Sequence, residues 1–198
     1  MQNIKEYCNF LGSTNPTPGG GSACGLTLAM AASCAEKAGR FSLNDYLSEF
    51  ITSFLEIKDA GFRLSDEDQD AFKKWGEARK LPKTTIEEKQ IRDEKVNFYA
   101  KECTRVPYEI AKNSLKLAEI IQDFIPHCNK WLISDIGVAA ALASASFDGG
   151  IFNILTNFPF LRDEEFKKEL NLFLDESVLY FNKMKENIYN LTKTRLNS

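Results

Sequence analysis

The stretch TNPTPGGGSACGLTLAMAASCAEKAGRF, residues 14–41, sets two prolines and three consecutive glycines ahead of a long run of small apolar residues. A phosphate-binding P-loop would end in Gly-Lys-Ser/Thr, because the lysine reaches the terminal phosphates and the hydroxyl binds magnesium. Here Gly21 is followed by Ser22 and Ala23. A dinucleotide GxGxxG fails as well: after Gly19 and Gly21 the last glycine position is Cys24, and no strand pattern precedes the loop. The segment after the glycines reads as a helix, with Ser22 placed to cap it. Glycines let a ligand touch the backbone. A helix start presents free N–H groups and the positive end of its dipole. Such a site suits a carboxylate, a carbonyl or a polar ring edge. The plainer alternative is a loop whose glycines only turn the chain between two helices.

Outward from this loop, every long segment repeats with helical period. IKEYCNFL gives a short first helix ending near Gly12. A helix from about Asn44 to Leu64 carries Leu47, Ile51, Phe54, Leu55, Ile57 and Phe62 toward a core, and SDEDQDAFKKWGEARKL continues or restarts it up to Pro82. A charged helix comes next and stops at Pro107, and another begins there and stops before Pro126. SDIGVAAALASASFDGGIFNIL and a long C-terminal helix complete the chain. No segment alternates like a strand. The expectation is an all-α fold, one helical domain over residues 1–198 built from about six long helices.

The totals narrow the function classes. The 198 residues are 43% apolar and carry a net charge of −3, with no basic block, which argues against nucleic acid as the main partner. Five cysteines, odd in number and without a CxxC, argue against a disulfide framework or a zinc site and point to reduced thiols in a cytoplasm. The N-terminus is too charged for a signal peptide. No apolar stretch approaches a transmembrane span: the longest, IGVAAALASAS, is short and rich in Ala and Ser.

Two polar patterns compete for attention. In LSDEDQDAFKKWGE, Asp66, Asp68, Asp70 and Glu77 fall at calcium-loop positions, but the required glycine is Ala71, and Lys73 and Lys74 lie inside the would-be cage. Read as a helix, Leu64, Asp68, Phe72 and Trp75 share one face, so Asp68 is a carboxylate on an apolar stripe while Asp66 and Asp70 point to water. Desolvation there raises a carboxyl pKa into the range that suits proton transfer. The competing reading is a capping box, since Ser65 and Asp68 fit S-x-x-D. The second pattern joins Asp135, Ala139, Leu142, Ser146, Gly149, Asn153 and Asn157 at threes and fours. It lines either a ligand cleft or an interhelical seam, and Ser134 and Asp135 also fit a helix cap. His127, the only histidine, lies in a predicted loop beside Pro126, and a Ser-His-Asp triad cannot rest on it.

PTPGGGSACG, DEDQDAF, LPKTTIEEKQIR, VPYEIA and SDIGVAAALASASFDGGIFNILTN, in this order and spacing, resemble the cyclodeaminase/cyclohydrolase family of folate enzymes. The resemblance runs from about Phe10 to Asn157. It implies an all-α homodimer that binds a tetrahydrofolate derivative as substrate in a cleft lined by the glycine loop, with no metal and no redox cofactor, and a formiminotransferase as a partner chain. It implies a catalytic aspartate four residues before the Phe of D-x-x-A-F, which here is Asp68. Gly19, Gly20, Gly21 and Ser22 would line the folate pocket. Asp135, Asn153 and Asn157 would hydrogen-bond the pterin, and Lys83 would hold the anionic glutamate tail. Arg40 to Phe62 carries no family motif. A non-catalytic helical dimer that binds a folate-like or other small molecule in the same cleft is the alternative.

Overall fold

The computed structural model describes residues 4–42 and 48–197. They form six helices: α1 (Ile4–Leu11), α2 (Gly20–Arg40), α3 (Ser48–Arg79), α4 (Ile86–Phe124), α5 (Ile133–Asn157) and α6 (Glu164–Leu196). Five are long, from 21 to 39 residues, and α1 has eight. No strand occurs among the described residues. The expected start near Asn44 lies outside them.

Helices α2, α3, α4 and α5 make an up-down-up-down bundle, each antiparallel to the next, with α5 closing back on α2. The register can be followed through polar pairs. Lys58 Nζ meets Glu36 between α3 and α2 at 2.7 Å, Arg105 Nη2 meets Glu67 between α4 and α3 at 2.9 Å, and Lys37 Nζ meets Asp135 between α2 and α5 at 2.7 Å. The core holds Leu28, Phe54, Ile57, Leu117, Ile121, Phe124, Ile136 and Ile154 with the buried alanines of α2. Helix α6 lies across α4 and α5, where Phe181 stacks on Phe147 with ring centroids 3.9 Å apart.

Small residues decide how close α2 and α3 come. A Cβ on Gly25 would lie 2.7 Å from Ser65 N and 2.9 Å from Gly61 O. A Cβ on Gly61 would lie 2.7 Å from Ala29 N and 2.8 Å from Gly25 O. The two backbones therefore touch, and only glycine fits on either side.

Several expectations about boundaries give way. Pro107 does not end a helix: α4 runs through it. Proline leaves the carbonyl four residues earlier without its donor. That carbonyl belongs to Cys103, and Asn157 Nδ2 donates to it at 2.7 Å. Ser22 is not a cap, since Gly19 is the N-cap and Ser22 is buried in the first turn of α2. Ser65 and Asp68 are not a capping box either, because α3 continues through both. The same continuity removes the loop that calcium would need. Helix α5 is capped from Leu132 rather than from Ser134 or Asp135. The segment Lys130–Phe160, which contains an 18-residue window of mean hydropathy 1.4, is long and apolar enough by composition to cross a membrane, which corrects the shorter apolar run read from the sequence. In the fold it packs between α2 and α4 as a bundle helix. His127 is exposed at the end of a 3-10 turn, its ring 6.2 Å from that of Phe50.

The glycine contact makes a stability prediction. Gly61→Ala forces the two backbones apart and is expected to lower unfolding free energy by about 2–3 kcal/mol. Gly76→Ala, in the same helix with nothing within 4 Å of the added Cβ, is expected to raise it by about 0.5–1 kcal/mol. Urea unfolding of the two variants checks both signs.

Candidate active site

The tight α2–α3 crossing sets what happens one turn further on. Counting back from Gly25 along α2 reaches Gly21, and counting forward from Ser65 along α3 reaches Asp68. The Asp68 carboxylate lies directly on Gly21: a Cβ there would come within 2.6 Å of Asp68 Cγ and 2.8 Å of Oδ2, so no larger residue fits. The backbone N–H of Ser22 donates to the carboxylate. This is an orphan donor of the first turn, at the positive end of the α2 dipole.

No cation pairs with Asp68 among the described residues. Burial raises its pKa from 3.8 to about 6, against the lowering effect of the Ser22 N–H. Two thiols feel the same carboxylate. Cys24 is pushed up to about 11 and Cys103 to about 12, in both cases first by burial and then by the Asp68 charge. Both stay protonated at neutral pH. Asp68 is thus the one group here that can take and return a proton near pH 6. Asp66 and Asp70 are exposed, as their positions on the helix predict.

A line of hydroxyls stands behind the carboxylate. Ser22 Oγ is 2.8 Å from Ser65 Oγ and 3.0 Å from Tyr7 OH. Both serines are buried. Tyr7 is the only residue of α1 that is not exposed, so its hydroxyl brings α1 against the start of α2. Burial raises the Tyr7 pKa, and the Asp68 charge adds to it. Nothing local in the sequence marks Tyr7 or Ser65 as site residues. Their signal is the partnership itself, across separations of 15 and 43 residues.

The predicted pterin ligands separate. Asn153 reaches the glycine loop: its amide atoms are 3.8 and 3.9 Å from the position of a Cβ on Gly20, while its Nδ2 donates to Gly149 O at 2.8 Å. Asn157 spends its donor on the Pro107 gap. Asp135 pairs with Lys37 in the last turn of α2. Sixteen residues of helix put Lys37 about 24 Å from Gly21. Asp135 is therefore not brought to Asp68 within this chain. The polar stripe does share one face, but that face packs on α2, with Ser146 Oγ donating to Cys24 O at 2.9 Å and Gly149 lying against Cys24 Sγ. Lys83 is exposed in the turn after α3.

Comparison with known proteins points to one family. The family model described as formiminotransferase-cyclodeaminase matches residues 3–176. A methenyltetrahydrofolate cyclohydrolase from Methylorubrum extorquens is 29% identical, over 99% of this chain and 98% of that protein. The formimidoyltransferase-cyclodeaminase of Mus musculus is 28% identical over 84% of this chain, which spans about a third of that longer relative (32%). The crystal structure of a formiminotetrahydrofolate cyclodeaminase from Thermotoga maritima superposes with a TM-score of 0.80 at 27% identity, over 98% of this chain and 96% of that one.

The raised pKa carries a stability consequence. Below about pH 4 Asp68 is protonated in both the folded and unfolded states and costs nothing. Above its folded value of about 6 it is ionised in both, and the fold bears the full desolvation cost. Asp68→Asn keeps an oxygen for the Ser22 N–H and removes the charge. It is expected to be more stable than wild type by about 2–3 kcal/mol at pH 8, and the two are expected to converge near pH 3. Equal stability at pH 8 by denaturant unfolding would contradict the burial of a charged carboxylate here.

Proposed function

This chain belongs to the formiminotransferase-cyclodeaminase family, and from that premise we propose that it is a folate enzyme. Its reaction interconverts 5-formimino-, 5,10-methenyl- and 10-formyl-tetrahydrofolate, and Asp68 carries the proton transfers. The observation that carries this reading is the half-buried carboxylate, free of any cation among the described residues, seated on Gly21 at the start of α2. The five-membered methenyl ring bears a positive charge shared over its two nitrogens. A desolvated carboxylate without a counterion is built to meet such a charge.

In the hydrolytic direction, Asp68 takes a proton from water as the oxygen attacks the methenyl carbon. The tetrahedral carbon then breaks its bond to one ring nitrogen, which receives that proton from Asp68. The hydroxyl gives its remaining proton to solvent as it becomes the carbonyl, and the formyl group remains on the other nitrogen. In cyclodeamination, the free folate nitrogen attacks the formimino carbon. Asp68 receives its proton and passes one to the amino group, and the C–N bond to ammonia breaks. Both routes pass through one tetrahedral carbon and need a group that serves as base and then acid, which a pKa of about 6 supplies near neutral pH. Neither step needs a metal or an electron carrier.

The Ser22 N–H fixes one carboxylate oxygen toward the loop. Gly19 and Gly20 leave the backbone bare for a flat ring to approach, and Gly21 makes room for the Asp68 carboxylate itself. Asn153 offers its amide oxygen from α5. Asn157 holds α4 together beside the site, and Asp135 lies away from it in this chain.

The working form is a homodimer in this reading. On α5, Val138, Ala141, Ala145, Phe152 and Leu155 recur at threes, fours and a seven, and all are exposed. Val138, Phe152 and Leu155 are each more than half exposed, and the neighbouring α2 exposes Met30. This exposed apolar face, interrupted at the middle by Asp148, fits a second copy of the same helix. Five free thiols support a cytoplasmic setting. A formiminotransferase on a separate chain would supply the formimino substrate.

Two measurements test the proposal. Asp68→Asn is expected to lower kcat for methenyltetrahydrofolate hydrolysis or formation, followed by ultraviolet absorbance, by about 100-fold or more. Unchanged turnover would remove Asp68 from the chemistry, and folate binding by a wild type without turnover would favour a binding protein. Wild type is expected to sediment at twice the chain mass and Val138→Glu/Phe152→Glu at the chain mass. A wild-type monomer would dismiss the seam.

A further inference from the structure

Helix α1 lies against the first turn of α2 with little beneath it. Its eight residues are too few to hold a helix in water without support. Ile4, Tyr7, Cys8 and Leu11 follow one another at threes and fours, so they share one face. That face is not packed away: Ile4 is 70% exposed, Leu11 is 36% exposed, and α1 has no buried residue. Hydrophobic burial therefore does little to hold it. Tyr7 supplies a polar tie instead, with its hydroxyl 3.0 Å from Ser22 Oγ. The turn that follows α1 is fixed by Ser13, whose Oγ donates to Phe10 O at 2.7 Å and accepts from Asn15 N at 3.1 Å.

Counting protons gives the tie a direction. Tyr7, Ser22 and Ser65 bring three hydroxyl protons to two hydrogen bonds. Ser22 is 0% exposed and Ser65 2%, and a buried hydroxyl proton without an acceptor is costly. Among the described residues the Ser65 hydroxyl has Ser22 Oγ as its partner. Both buried protons are used when Ser65 donates to Ser22 and Ser22 donates to Tyr7. The phenol oxygen then ends the chain as acceptor, and its own proton points to the open side. Without that oxygen, one serine proton is stranded whichever way the chain runs. The backbone N–H of the same Ser22 donates to Asp68. Tyr7 thus holds the residue that holds the carboxylate.

We propose that Tyr7 is a positioning residue for Asp68: its hydroxyl fastens the first turn of α2 through Ser22 and draws α1 over the carboxylate, keeping water from it. The proposal rests on Asp68 as the proton carrier of the reaction. It adds a residue from outside the bundle that acts through Ser22. The groups around the carboxylate are Tyr7 from α1, with the exposed Cys8 beside it, Cys24 from α2, Cys103 from α4 and the uncharged Asn153 from α5. Tyr7, Cys24 and Cys103 are all pushed up, first by burial. None of these three titrates between pH 4 and pH 8, so a change of midpoint there reports on Asp68 itself.

The test is Tyr7→Phe, which keeps the ring and removes the tie. Tyr180→Phe is the control: it removes an exposed phenol bonded to Glu119 at 3.2 Å on α6. The first readout is the carbon NMR titration of the Asp68 carboxyl in the whole protein without ligand. In Tyr7→Phe the midpoint is expected to fall from about 6 by roughly one pH unit, because water reaches the carboxylate. In Tyr180→Phe it is expected to stay. The second readout is methenyltetrahydrofolate hydrolysis. Tyr7→Phe is expected to lower kcat roughly tenfold with KM within twofold, and to move the acidic limb of kcat/KM down by the same interval as the NMR midpoint. An unchanged midpoint overturns the proposal whatever turnover does, since a merely structural tie would lower activity without moving it. A raised midpoint overturns it as well, because the phenol would then act only as a donor to the carboxylate. A wild type without turnover defeats the folate reading, while the carbon titration still decides the role of Tyr7.

Discussion

The backbone contact between α2 and α3 governs the rest of the molecule. Gly25 and Gly61 let two helices meet main chain to main chain, closer than ridge-and-groove packing with side chains allows. At this distance the next turn of α2 has no room for a side chain, and Gly21 accepts a carboxylate where most helices would carry a Cβ. The same approach buries Ser22 and Ser65 against each other and aims the Ser22 N–H at Asp68. The active-site geometry is set by how near two helices lie.

That placement has an electrostatic consequence. Elsewhere in the bundle, acids facing a neighbouring helix are paired: Glu36 with Lys58, Glu67 with Arg105, Asp135 with Lys37. Asp68 has only one backbone donor and two protonated thiols nearby. The fold holds an ionisable group in an environment that disfavours its charge, and the cationic substrate proposed above would relieve that cost on binding. In the proposed mechanism, stability is given up at the residue where the chemistry needs a poised proton, a common trade at functional sites.

Much of this is legible in the sequence because it rests on period. The helical repeat gives the fold class, and the i, i+4 arithmetic around Leu64 and Phe72 sets Asp68 apart from Asp66 and Asp70. The small-residue stripe on α5 also reads as one face, though nothing local says whether a face meets a ligand or a helix. It meets α2, and Asn153 alone reaches the glycine loop. Pro107 misleads because the donor that repairs its broken ladder, Asn157, comes from another helix 54 residues away in sequence. Ser22, Ser65 and Asp68 carry the signature of helix caps, yet two of them line a buried interhelical contact and the third is a desolvated carboxylate seated on Gly21. Those residue types favour caps and also satisfy buried partners, and only tertiary structure chooses between the two.

The most direct test is to titrate the Asp68 carboxyl carbon by NMR, assigned by its loss in Asp68→Asn, with and without a methenyl folate. A midpoint near 6 in the free protein, moving to lower pH when the cationic folate binds, is the expected result. A midpoint near the ordinary aspartate value of about 4 that does not respond to the ligand would mean that Asp68 is a solvated acid and that the site lies elsewhere.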